Sequence, residues 1–532
     1  EVQRQLVAQP ETWPKLSELS LEEAELGWVG LHDSYLDELL PLFVRHAALR
    51  AQPGDMLKLQ SERGWHVLRI EDVMLDLRVK RLGQDGGRAK DALHSKTYTV
   101  ITMGCQMNQA DSERMEGQLA SLGMRPVLEE EDPDVVLLNT CSIRDKAEKK
   151  VYARLDAHLQ RKRKGQDVTL VVTGCVAQQE GEDLLRAVPE VDVVMGPQFA
   201  NRLADVLNES VLGGQICATE DSRIMEDVTM PNRQSSISAW VNVIYGCNER
   251  CSYCVVPFTR GSEQSRPMSS IRREVETLGD EGFREVTLLG QNIDAYGRDF
   301  TPRRTFADLL RSLSDLDISR IRFLTSHPRY ISDDLIRAVR DVPSVCEQFH
   351  IPFQSGDDEI LRQMDRGYTA ERYRRIVDNI RRAMPTAGLS ADAIVGFPGE
   401  TEEQFQRTLQ LVEEIGFLTV NLAAYSPRPN TLAAQRPNQV PEEDKKRRLQ
   451  QLKDVVQRCS LEQSRRMRGQ VMELLVEGPE KRRPGRLRGR LRNGRLCHVE
   501  GKLEELLGRL VPVKITDAFS FSVAGEIVGE PY

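Results

Sequence analysis

The stretch Gly246-Cys247-Asn248-Glu249-Arg250-Cys251-Ser252-Tyr253-Cys254 constrains this chain more than any other. Its three cysteines, at spacings of four and three residues, follow the apolar run 240–245, so one loop brings three thiolates to a single small metal centre. An iron–sulfur cube takes four ligands. The run supplies three, and the next cysteine, Cys346, is distant, which leaves one iron open to something other than protein. Zinc is the rival metal, but its structural sites use a second CxxC pair or a histidine pair, and none follows here. The plainer alternative is three reduced cysteines in a core. With ten cysteines in 532 residues, three within eight positions argue against it.

The spacing resembles the Cx3Cx2C motif of the radical S-adenosylmethionine (SAM) superfamily. The resemblance implies that Cys247, Cys251 and Cys254 hold a 4Fe-4S cluster whose open iron takes the amino and carboxylate groups of SAM. An electron from the cluster then cleaves SAM to a 5′-deoxyadenosyl radical. Tyr253 matches the aromatic position beside the adenine.

The chain carries 73 Lys and Arg against 81 Asp and Glu, a net charge of −8, so any contact with nucleic acid needs a local basic patch. Ten cysteines over this length are no disulfide framework, and no run resembles a secretory segment or a membrane span of about 18 apolar residues. The expectation is a cytoplasmic protein in a reducing compartment, without membrane contact.

Residues 1–90 read as a partial domain and linker. Ala24-Glu25-Leu26-Gly27-Trp28-Val29-Gly30, Gln52-Pro53-Gly54-Asp55-Met56 and Gly64-Trp65-His66-Val67-Leu68-Arg69-Ile70-Glu71-Asp72 resemble the second half of a parvulin-type prolyl isomerase over 24–75. His66 falls where that family has an active-site histidine. The front half of the α+β fold is absent, so the segment is expected to be an inactive remnant or fusion, joined through the glycine- and charge-rich stretch 82–90.

Over 96–212 short β-branched runs at 98–102, 135–139 and 168–173 alternate with charged helical segments, which predicts an open parallel sheet. Cys105, Cys141 and Cys175 each follow one of these strands. Parallel strands bring their carboxyl ends to one edge, so the three converge. The glycines before Cys105 and Cys175 predict tight turns. Three small buried residues at strand ends are the alternative. The flanking residues match the amino-terminal domain of the methylthiotransferases, a radical SAM branch in which these cysteines hold a second 4Fe-4S cluster, linked to the sulfur that is inserted.

Within 233–465, strand-like runs at 240–245, 285–289, 321–325, 348–352, 389–395 and 418–424 alternate with helical stretches, predicting a partial TIM-type (β/α)6 barrel with its functional groups at the strands' carboxyl ends. There lie Gly290-Gln291-Asn292-Ile293-Asp294, Ser326-His327-Pro328, Gln354-Ser355-Gly356 and Gly396-Phe397-Pro398-Gly399-Glu400. By resemblance Gly290, Gln291, Asn292, Gly396 and Gly399 approach SAM. His327 is expected to serve the structure or the SAM side rather than proton transfer.

After a charged helix, 442–468, a β-rich tail over 467–530 carries Lys481, Arg482, Arg483, Arg486, Arg488, Arg490, Arg492 and Arg495 with no acid among them. Such a patch on an acidic chain is the expected footprint of phosphate backbone, and a solvated hairpin is the alternative. The tail's position resembles that of the TRAM domain, a small RNA-binding β-barrel.

Gly104-Cys105-Gln106-Met107-Asn108, Asn139-Thr140-Cys141-Ser142-Ile143-Arg144-Asp145-Lys146-Ala147-Glu148, Ile351-Pro352-Phe353-Gln354-Ser355-Gly356 and Met364-Asp365-Arg366-Gly367-Tyr368-Thr369 resemble the methylthiotransferase branch called MiaB. That branch converts N6-isopentenyladenosine to 2-methylthio-N6-isopentenyladenosine in the tRNA anticodon loop. Two SAM molecules are implied, one methylating sulfur at the amino-terminal cluster and one giving the radical that takes hydrogen from adenine carbon 2. A reductant such as flavodoxin or ferredoxin is implied too. The alternatives are the sister branch, which methylthiolates a ribosomal-protein aspartate, and a non-catalytic iron–sulfur RNA-binding protein.

Overall fold

The computed structural model describes residues 28–30, 56–61, 64–69 and 93–532, except 143–144, 225, 227–228, 481–482 and 484; of the first three stretches, 145–150 and 212 only the backbone is described. The chain divides into two units, 1–89 and 90–532. In the first, strand β1 (Trp28–Gly30) pairs parallel with β2 (Met56–Ser61), which pairs antiparallel with β3 (Gly64–Arg69). The rest of the isomerase-like stretch and the linker expected at 82–90 lie outside the described residues.

The second unit opens with a parallel sheet of order β5-β4-β6-β7-β8-β9. Its strands are β4 (Thr97–Thr102), β5 (Arg125–Pro126), β6 (Val135–Thr140), β7 (Thr169–Gly174), β8 (Val193–Met195) and β9 (Ile216–Ala218). Successive side chains of a strand point to opposite faces. Val135 and Leu137 of β6 accordingly enter one core with Met115 and Leu119 of helix α1 (Gln106–Ser121). Val136 and Leu138 enter the other with Val151, Leu155 and Leu159 of helix α2 (Asp145–Arg163), a four-residue spacing that lines one helix face. Helix α3 (Cys175–Glu180) follows β7 directly.

Six further parallel strands follow in sequence order. Strands β10 (Ser238–Asn242), β13 (Glu285–Leu289) and β14 (Arg320–Leu324) form one sheet, and β15 (Gln348–His350), β16 (Gly388–Val395) and β17 (Thr419–Ala424) the other, bridged at Ile321 and Val345. This is the expected open (β/α)6 arc. A short antiparallel pair, β11 (Ile244–Tyr245) with β12 (Gln264–Ser265), brackets helix α4 (Val256–Arg260), and helix α5 (Met268–Asp280) buries Ile271, Val275 and Leu278.

Strands β18 (Val471–Pro479), β19 (Arg486–Leu491), β20 (Leu496–Glu500), β21 (Leu510–Ala518) and β22 (Ser522–Ile527) close into a small barrel. Two arginines at the start of β14 hold it: Arg320 bonds Glu473 and the Arg490 carbonyl, and Arg322 bonds the carbonyls of Leu491 and Arg492. Among the described residues no helix is long and apolar enough to cross a membrane.

A buried ionic knot ties the first sheet to the arc. Glu274 of α5 accepts from Arg114 of α1 at 3.2 Å, Arg233 at 2.6 Å and Arg266 at 2.7 Å. Burial alone would push Glu274 up, but Arg114, Arg266 and Arg233 outweigh it and hold the carboxyl at about 2. A folded value below the ordinary 4.5 means that the stabilisation is whole above that pH and is lost as pH falls toward 2. Glu274→Gln leaves Arg233 and Arg266 their pairs with Glu113 and Glu226 but strands buried Arg114, and is expected to cost about 3 kcal/mol near neutrality. Urea unfolding should show wild type and variant converging between pH 4 and 2.

Candidate functional site

The three predicted cysteines of the first sheet follow adjacent strands β4, β6 and β7. Cys141 hydrogen-bonds Cys105, and that bond, opposing burial and aided by Arg260, brings the Cys105 thiol down to about 6. Gly174 has φ +92°, and a Cβ there would stand 2.2 Å from the Thr140 carbonyl oxygen, so only glycine lets Cys175 approach the Cys141 turn.

Cys247, Cys251 and Cys254 occupy the loop after β11. Burial pushes the Cys247 and Cys254 thiols up to about 12, and repulsion within the set adds to it. Arg366 supplies a cation, its Nη1 3.2 Å from Cys251 Sγ. Helix α3, which begins at Cys175, packs against helix α4, which follows the Cys247–Cys254 loop, so the two sets border neighbouring elements at the domain boundary.

Buried polar atoms without a hydrogen-bond partner mark the carboxyl ends of four consecutive strands: the side-chain amides of Asn242 and Asn292, Nε2 of His327 and Oε1 of Gln354. A buried unpaired group is costly, and four on one rim fit a polar ligand that the protein itself does not provide. Among the described residues no three His, Cys, Asp or Glu side chains converge as a single metal ion requires. Thiolates on separate corners of a cube need no such convergence.

Of the residues expected near SAM, Tyr253 packs against Ile360, Met364, Phe397, Tyr425 and Ala433, and Gln291 follows Gly290 at the end of β13. Gly396 and Gly399 hold left-handed backbone at φ +71° and +84°, and Glu400, paired with Arg448, accepts from the Gly396 N–H. His327 accepts the Arg329 N–H at Nδ1. Burial first, then Arg366, Arg329 and Arg372, bring it down to about 2, so it is neutral with Nε2–H turned inward.

Several groups here carried no signal of their own beyond the motifs that contain them. Glu249, inside the cysteine loop, pairs with Arg329 at 2.9 Å and hydrogen-bonds Tyr330. Asp294 accepts from Ser326 Oγ and the His327 N–H, yet burial pushes its carboxyl up to about 7. Arg366 was legible only as part of a motif, and Arg260 not at all.

The basic tail residues are drawn apart. Lys481 and Arg482 lie outside the described residues. Arg492 pairs with Glu347, and the buried Arg495 bonds the Leu418 and Ser520 carbonyls, so both help dock the small barrel. Arg486, Arg488 and Arg490 alternate along β19 and share its outer face, beside exposed Arg483, while Glu480 and Glu477 pair with Arg486 and Arg490.

Comparison with known proteins follows this division. Residues 241–412 match the radical SAM superfamily. The central domain is a radical SAM domain. Residues 97–196 match uncharacterized protein family UPF0004, and 465–528 match the TRAM domain. In that order the three fit the domain architecture of the methylthiotransferase family generally. Among solved structures, the radical SAM methyltransferase TsrM of Kitasatospora setae, with tryptophan substrate and the SAM analogue aza-SAM, is similar with TM-score 0.50 at 14% identity, over 64% of this chain and 75% of that one. The cobalamin-dependent SAM radical enzyme OxsB, with aqua-cobalamin, is 12% identical over 80% of this chain and 71% of its own, with TM-score 0.48. Such identities speak of fold alone.

Proposed function

We propose that the chain is a tRNA methylthiotransferase converting N6-isopentenyladenosine, 3′ of the anticodon, to its 2-methylthio derivative. The observation that supports this reading is the packing of helix α3, which begins at Cys175, against helix α4, which follows the Cys247–Cys254 loop. Cys105, Cys141 and Cys175 would hold one 4Fe-4S cluster, and Cys247, Cys251 and Cys254 the other. Bound together with SAM, these groups would supply a place for sulfur to be methylated and the radical that a non-acidic C–H bond requires.

The chain's own residues bind and orient. Asn292, Gln291 and His327 Nε2–H offer polar contacts at the rim, Gly290, Gly396 and Gly399 let backbone come close, and Tyr253 offers a ring face. Neutral His327 is a donor rather than a base. Arg483, Arg486, Arg488 and Arg490, with Lys481 and Arg482 before them, would track phosphates, and the half-exposed rings of Phe519 and Phe521 would take unstacked bases. A small reductant such as flavodoxin or ferredoxin would deliver electrons in the cytoplasm. The parvulin-like stretch is taken as an inactive remnant.

The test is anaerobic reconstitution with SAM, reductant and isopentenylated tRNA, followed by nucleoside mass analysis. The expected product gains a methylthio group in place of one hydrogen. Release of 5′-deoxyadenosine with modification of a ribosomal protein instead points to the sister branch, and no release at all to a binding module.

A further inference from the structure

Strands β15, β16 and β17 pair in a register that sets His350 beside Ser390 and Asp392 beside Asn421. Along β16, Leu389, Ala391, Ala393 and Val395 enter the apolar core, so Ser390, Asp392 and Ile394 take the opposite face, inside the arc. His350, Ser390 and Asn421 border a cavity of about 210 Å3 there, and Arg490 of β19 and Phe521 border it from the small barrel. The cavity thus joins the arginine face of β19 to the inside of the arc. The Asp392 side chain is 36% exposed. Its Oδ1 accepts from Asn421 at 2.9 Å and stands 3.3 Å from His350 Nε2, while His350 Nδ1 meets Ser390 Oγ at 2.9 Å. Oδ2 has no hydrogen bond among the described residues. Burial would push the carboxyl up, but His350 and then Asn421 hold it below the ordinary carboxylate range, so it is a charged acceptor with an oxygen to spare. Two residues further along the same face, Ile394 packs with Tyr253 against Phe397 and Tyr425. A strand rises about 3.3 Å per residue, so Asp392 lies roughly 7 Å deeper in the arc than that rim.

We propose that the inner face of β15, β16 and β17 is the seat of the target base, and that Asp392 Oδ2 accepts its exocyclic N6–H. This rests on the functional reading above. In adenine the N6 amine points away from carbon 2, so a ring with carbon 2 toward the rim directs N6–H down the strand to Asp392. The ligand class is an N6-monosubstituted adenine, which keeps one N–H to donate. His350 and Asn421 are positioning residues: they engage Oδ1 and leave Oδ2 to the base. A fixed carboxylate here also repels an anionic side chain, which tells against a ribosomal-protein aspartate as substrate.

The test uses the full chain, reconstituted anaerobically, and two synthetic anticodon stem-loops. One carries N6-isopentenyladenosine, the other 6-isopentenyloxypurine riboside, in which oxygen replaces N6–H at nearly the same shape. Iron content and the electron paramagnetic resonance (EPR) spectrum check that parent and variants are equally loaded. In the parent, kcat/KM for methylthiolation should favour the amine over the ether roughly 10- to 100-fold, the scale of a hydrogen bond to a charged group. Asp392→Ala should bring that ratio close to one by losing activity on the amine alone. Asp392→Asn, whose carbonyl still accepts, should keep part of the preference. A parent that treats the two RNAs alike overturns the proposal. So does an Asp392→Ala chain that loses activity on both with the ratio intact, which assigns Asp392 to structure. Where Asp392→Ala does not fold, the Asp392→Asn ratio decides, and a ratio equal to the parent's counts against the proposal. Release of 5′-deoxyadenosine with no methylthio product on either RNA sinks the functional reading and this proposal with it.

Discussion

Cys175→Ala should separate radical formation from product formation. The variant keeps the Cys247, Cys251 and Cys254 loop, so it still releases 5′-deoxyadenosine from SAM under anaerobic reduction. Its iron should fall from about eight to about four per chain. Methylthiolated nucleoside should fall by at least about a thousandfold, the scale expected when groups act as a unit. Iron assay, 5′-deoxyadenosine assay and nucleoside mass analysis on one preparation read all three. Product at wild-type level would remove the first sheet's cysteines from the chemistry.

Cys251→Ala should show the complementary pattern. Arg366 loses the sulfur that stands 3.2 Å from its Nη1, and the loop loses one of its three thiolates. Iron again falls to about four per chain, now with no 5′-deoxyadenosine. Binding of tRNA should persist, because the small barrel holds none of the six cysteines. A filter-binding measurement with the same protein checks this. Continued 5′-deoxyadenosine release would contradict the assignment of SAM cleavage to this loop.

Much of the fold was legible. Six strands of the arc and the helix Glu402–Ile415 stand within a few residues of their expected positions, because buried parallel strands write continuous apolar runs and helices write a 3.6-residue pattern. Strands β5, β8 and β9 were not foreseen: at two and three residues they are too short to show a period. The placement of Cys105, Cys141 and Cys175 after neighbouring parallel strands followed from topology. The arginine partners did not, because a salt bridge between Arg260 and Asp111 joins positions far apart in sequence with no pattern to link them. Charge alone also misread the tail in part. Alternation along β19 fixes which arginines share a face, whereas the carbonyls that engage Arg492 and Arg495 belong to other elements.

The most direct measurement is the iron content and EPR spectrum of the anaerobically reconstituted, dithionite-reduced chain. Two adjacent clusters predict about eight irons per chain and a signal broadened by spin coupling, which sharpens when either cysteine set is replaced by alanine. About four irons with an uncoupled signal, or zinc in place of iron, would contradict the facing of two clusters.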